Sequence, residues 1–280
     1  MVTSRYPQNL IGSLEWAFSN PGALLSNEKR SLKAPILKTA IELICNGLLY
    51  KLSLYPQGTG KIDLQSLTLP DSKIAQEAEQ ECIDTLPAPI ITHSLRTFVL
   101  GMALSKVDEV YRDVDIEQFY VTCLLHDIAI ESDNTHTCFA VAGGQRTSLV
   151  AHRSGEPKEI CQSLGNAVSM HITPGINEAC PGSLAALVSD ASFMDLSGYK
   201  IWRLDQDFVR DVDKTDWDNV FGKDDTPKLI SLSSCTTRQS RLYLADCWRR
   251  RALKFPNGRV ALLEHYPPGL SHIFRCSPLR

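Results

Sequence analysis

Residues 116–130 read IEQFYVTCLLHDIAI, directly after Asp115. Ile116, Phe119, Tyr120, Cys123 and Leu124 recur at i, i+3, i+4, i+7 and i+8, the spacing of a helix with a wide apolar face. The stretch ends in His126-Asp127. A polar pair among apolar residues is costly to bury unless it has a partner. A neutral imidazole beside a carboxylate suits zinc, iron or manganese. A buried His–Asp hydrogen bond without metal accounts for the same spacing.

Outward from this helix, the same period recurs. Residues 33–54 carry Ile36, Leu37, Ile41, Ile44 and Leu48 on one stripe, stopped by Pro56-Gln57-Gly58. Residues 57–70 read as a linker. A helix is predicted from Asp71 or Ser72 to about Asp84, with Ile74, Ala75, Ala78 and Cys82 on one side. The next spans 90–106, after Pro87 and Pro89, with Ile91, Leu95, Phe98 and Met102 in register. Further helices are predicted at 137–150, 157–171, 183–197 and 239–254. Six aspartates between 205 and 218 predict a loop over 205–238 with solvated carboxylates, and Val260–Leu263 is a candidate strand. The expected fold is an all-α helical bundle. It would comprise an N-terminal helical extension (1–69) and a domain over 70–280, with its core at 70–200 and a partly irregular extension at 201–280.

The 280 residues hold 29 Lys and Arg against 32 Asp and Glu, a net charge of −3. That balance argues against bulk attraction to nucleic acid or an anionic membrane, and no run of about 18 apolar residues suggests a membrane span. Nine cysteines, an odd number with no C-x-x-C pair, fit a reducing, cytoplasmic setting better than a disulfide framework. The expected partner is a small molecule, with self-association left open. Gly58-Thr59-Gly60-Lys61 is no P-loop, because Tyr55 and Ile62 stand where Gly and Ser or Thr are needed. Arg249-Arg250-Arg251 reads as a solvated helix C-terminus.

Two more apolar helical segments carry chemistry. His93 follows Ile90-Ile91-Thr92, and Asp190 and Asp195 lie in LAALVSDASFMDLSG, residues 184–198. Five residues on a helix are about 140° apart, so only one of these aspartates can share a site face. This set, His93, His126-Asp127 and a late Asp, resembles the HD metal-dependent hydrolase superfamily. THSLRTF (92–98), YVTCLLHDIA (120–129) and FAVAGG (139–144) are similar to its cyanamide hydratase branch, over roughly residues 70–200. The resemblance implies a ligand set of His93, His126, Asp127 and Asp195, the last just before Leu196-Ser197-Gly198, with Asp190 second. It also implies that His171, in NAVSMHITPG, lines the pocket as a proton shuttle or substrate contact, with Asp127 also serving in catalysis. An exposed helix-end His171 beside Pro174 is the alternative. Arg96 and Phe139 are the candidate substrate contacts, although a buried salt bridge is a simpler role for Arg96.

The sequence departs from the pattern. Phe139 stands where two-metal HD enzymes place a histidine, four residues before Gly143-Gly144, so one metal is expected. His152 reads as part of a surface turn. Ala140 replaces the branch's Glu, and Thr92 its Asn. The implied cofactor is one divalent ion, zinc first, with iron or manganese as alternatives. Such an ion lowers the pKa of bound water from 15.7 to about 7, and the hydroxide would add to a small nitrile-like substrate, making the chain a hydratase (hydro-lyase). An HD phosphohydrolase for a nucleotide or other phosphoester is the alternative and would want cations around the phosphate. A degenerate HD module that binds without turnover is the third reading.

Overall fold

Pro87 sets the extended entry to the central helix, α4 (Ala88–Ser105), whose residues Ile90 to Leu104 are all buried. A helix buried around its whole circumference must be wrapped by others, and α4 is. The computed structural model describes residues 10–20, 24–132, 137–179, 181–215 and 237–254. Before α4 come α1 (Leu14–Ser19), α2 (Ser26–Lys51) and α3 (Lys73–Thr85); after it come α5 (Ile116–Leu125), α6 (Phe139–Ser154), α7 (Lys158–Met170), α8 (Ser183–Ser197), α9 (Gln206–Lys214) and α10 (Thr237–Lys254). The described residues form no sheet, so the fold is all-α as expected. No described helix is long and apolar enough to cross a membrane.

α8, α10 and α5 pack on α4, and α6 pairs with α7. Local sequence sets the ends. Ser72 accepts from the Ala75 amide to open α3, and its predicted stripe of Ile74, Ala75, Ala78 and Cys82 is buried. Asp115 caps α5 through the Gln118 amide, and Gly198 ends α8 in the left-handed conformation (φ 77°). Small residues decide how closely helices approach. A Cβ on Gly101 would overlap Phe119 of α5 and meet Ala191 of α8 at 3.0 Å. Gly144 and Gly165 face one another where α6 crosses α7, and a Cβ on Gly165 would lie 2.9 Å from the Gly144 carbonyl oxygen.

Three expectations are corrected. α2 forms, but its predicted stripe is not its core face: Leu32 and Ile36 are buried, whereas Leu37, Ile41, Ile44 and Leu48 are exposed. The segment 57–70 is docked rather than a free linker, since Gly60 exchanges backbone hydrogen bonds with Arg203 and Asp205. The aspartate-rich stretch contains a helix, α9, capped by Asp205 and burying Phe208, Val209 and Val212. The candidate strand Val260–Leu263 and the side chains of Arg249–Arg251 lie outside the described residues.

Candidate metal centre

His126 and His171 each stand one residue past a helix, α5 and α7. The last carbonyls of a helix lack intrahelical partners. Both rings use one: Nδ1–H of His126 donates to the Cys123 carbonyl at 2.8 Å, and Nδ1–H of His171 donates to the Val168 carbonyl at 2.7 Å. His93 lies inside α4, where no backbone carbonyl is spare, and its Nδ1 instead meets Asp195 Oδ2 at 2.7 Å. In the neutral form of each ring, a proton at Nδ1 leaves Nε2 with a bare lone pair.

Those lone pairs converge. The Nε2 atoms of His93 and His126 are 3.1 Å apart. Asp127 Oδ2 lies 3.4 Å from His126 Nε2 and 3.9 Å from His93 Nε2. His171 Nε2 is 3.7 Å from Asp127 Oδ1, a buried oxygen with no hydrogen-bond partner. Acceptors packed so closely with no donor between them repel, and a cation removes the conflict. Tetrahedral bonds of about 2.05 Å place ligand atoms about 3.3 Å apart, close to the spacing of this triangle. His93, His126 and Asp127 are thus a fitting site for a divalent ion. Burial, only partly offset by Asp127, lowers the His126 pKa to about 3 and moves that of His171 down as well. Both rings are therefore neutral and available as electron-pair donors.

Asp195, expected as a fourth ligand, is not in this converging set. Its Oδ2 is held by His93, its Oδ1 accepts from Arg96 Nε at 2.7 Å, and its backbone carbonyl accepts from Arg241 Nε at 2.6 Å. Burial pushes its carboxyl up, but Arg96, with His93 and Arg241, overrides that and holds it below the usual carboxylate range. Helix spacing left Asp190 and Asp195 as alternatives and the family resemblance favoured Asp195, neither revealing that it meets the His93 ring from the Nδ1 side. Arg96, expected to meet substrate, is buried, and its other nitrogens donate to the Val212 carbonyl (3.0 Å) and to Asp213 Oδ1 (2.8 Å). Asp213 is accordingly not a solvated loop carboxylate. Asp190 binds Tyr111 and Lys200, each at 2.5 Å. His152 is exposed on α6. Phe139 sets its ring edge-on to His171, centroids 6.0 Å apart. Ala140 is fully buried in the first turn of α6.

The cavity beside the triad has room for about one water-sized group. Its polar edge is His93, His126, Asp127, His171 and Ser192. Ile172, Phe193, Leu196 and Leu244 close it with apolar surface. Ser192 could be anticipated only as the residue one helical turn before Asp195. Leu244 and Arg241, both from α10, carried no signal, since their meeting with α4 and α8 is entirely non-local.

No family model matches the chain. Over 106 residues it is 33% identical to each of two Saccharomyces cerevisiae proteins, the cyanamide hydratases DDI2 and DDI3, covering 36% of this chain and 47% of each relative. The chain therefore spans about half the length of the curated relatives it matches, and over that part it is similar to these two cyanamide hydratases.

Proposed function

We propose that the chain is a hydratase of the HD class, dependent on a single divalent metal ion, that adds water across the C≡N bond of cyanamide or a similarly small nitrile-like molecule. The observation that carries this reading is the buried convergence of His93 Nε2, His126 Nε2 and the Asp127 carboxylate, with every ring tautomer fixed by a named acceptor. These three residues would hold the ion, zinc by preference for a nitrogen and oxygen donor set. The bound ion supplies Lewis acidity, making water acidic near neutral pH.

The remaining work falls to the chain. Asp195 orients His93 through Nδ1, and the Cys123 carbonyl orients His126. His171 Nε2, beside Asp127, takes the proton of the attacking water and returns it to the nitrogen that becomes anionic as the C≡N bond opens. Ile172, Phe193, Leu196 and Leu244 exclude bulk water. The lack of Lys or Arg among the cavity's described lining residues favours a neutral substrate over a phosphoester.

Elemental analysis of purified protein and an assay of cyanamide hydration test this directly. Expected are about one metal ion per chain, lost in His126→Ala, and turnover that fails in His171→Ala while metal is retained. Metal below about 0.2 per chain and unaffected by His126→Ala, or turnover of phosphoesters alone, would overturn the proposal.

A further inference from the structure

We infer that the outward face of α2 pairs with the same face of a second copy of this chain. This rests on α2 alone and is independent of the metal centre. The inner side of α2 is satisfied within the protein: Leu32 and Ile36 are buried, Glu42 accepts from the Tyr199 hydroxyl at 3.0 Å, and Pro35 lies against Gly175. The opposite side carries Leu37, Ile41, Ile44, Leu48 and, just past the helix, Leu52, each between 51% and 61% exposed. From Leu37 to Leu48 the spacing is 4-3-4, that of a seam between two helices rather than of scattered surface residues, and Leu52 extends the patch past the helix end.

Together with their neighbours these side chains present on the order of 500 Å², the upper range for the largest apolar patch on a monomer. Two copies would bury about 1,000 Å², where specific interfaces begin. The flank of the stripe also has the shape for a second helix. Gly47 has open space where a Cβ would stand, and Ala40 lies seven residues earlier on the same flank, leaving a shallow hollow for an incoming leucine. A lipid surface needs neither heptad spacing nor a hollow. Pairing like with like is the commonest assembly, a two-fold dimer. A two-fold axis through Ile44, the middle of the stripe, brings together the two copies of the exposed Cys45.

Light scattering on the full chain at tens of micromolar tests this. The expected mass is twice the 31.1 kDa of one chain, falling to one chain in Ile44→Lys/Leu48→Lys with its far-ultraviolet circular dichroism unchanged. On the unaltered apolar face, a short bis-maleimide should give a crosslinked dimer that Cys45→Ser abolishes. A wild-type mass of one chain overturns the inference. Such a monomer that sediments with phosphatidylserine vesicles would assign the face to a membrane, and one whose Cys45 crosslinks to Cys276 of the same chain would assign it to the chain's own C-terminal segment. A dimer that survives the double substitution overturns it too, because another face must then hold the copies.

Discussion

Asp195→Asn separates a ligand from a residue that orients a ligand. In the wild type, the Asp195 carboxylate accepts hydrogen bonds from His93 Nδ1–H and Arg96 Nε–H. An asparagine has one acceptor oxygen and turns an NH2 group toward the other donor. Breaking a buried ion pair costs about 3–5 kcal/mol. Arg96 keeps the Val212 carbonyl and Asp213, so the lower end, about 3 kcal/mol, is expected in urea unfolding of the metal-free protein. Losing the orienting partner of a ligand histidine weakens metal binding by about 10–100-fold, to be read by competition with a chelator. Refutation has two forms. Stability within about 0.5 kcal/mol, the ordinary range of surface substitutions, together with metal affinity unchanged within experimental error, would show that Asp195 does not organise the site. Loss of one metal–oxygen bond by X-ray absorption would show that Asp195 coordinates the ion itself.

Acid should unfold the metal-free protein early. The folded His126 pKa is lowered to about 3 from 6.5, so the unfolded chain takes up the proton first as pH falls. The stability present above pH 6.5 is then lost toward pH 3, by about 1.4 kcal/mol per pH unit, and a chemical-denaturation series should flatten in His126→Asn. Adding zinc at about 100 times its Kd should stabilise the wild type by about 2.7 kcal/mol in urea unfolding and leave His126→Ala unmoved. Gly144→Ala should cost about 1–3 kcal/mol and lower the thermal midpoint, since its Cβ would come within 2.9 Å of the Ser169 side chain and overlap the Gly165 carbonyl.

What the sequence made legible was local. α3 and α8 could be read because a capping Ser72 or a terminal Gly198 coincides with a clear apolar pattern. His126-Asp127 stood out because a polar pair interrupted an apolar helix. Periodicity locates a stripe without saying what covers it or where the helix begins, and so α2 starts at Ser26 rather than 33 and its stripe faces outward. α9 was hidden by its composition: only Phe208, Val209 and Val212 are buried along a short, acidic segment, and its aspartates suggested solvent. The Cys123 and Val168 carbonyls that fix two tautomers leave no trace in sequence at all, since any residue supplies the same carbonyl.

The partners of α4 arrive late in the chain. His93 awaits Asp195, 102 residues on, Arg96 awaits Val212 at 116, and the Pro89 carbonyl awaits Ser240 at 151. At about 5–20 residues per second, a ribosome takes roughly 8–30 s to make the last of these after the first. During that interval α5 and then α8 can come to cover α4, but the face on which α10 packs stays open until the end, where it is exposed to capture by a holding chaperone. His93 likewise has no acceptor to set its tautomer until α8 has emerged, so the ring can be oriented for its role only once the chain has been made past Asp195.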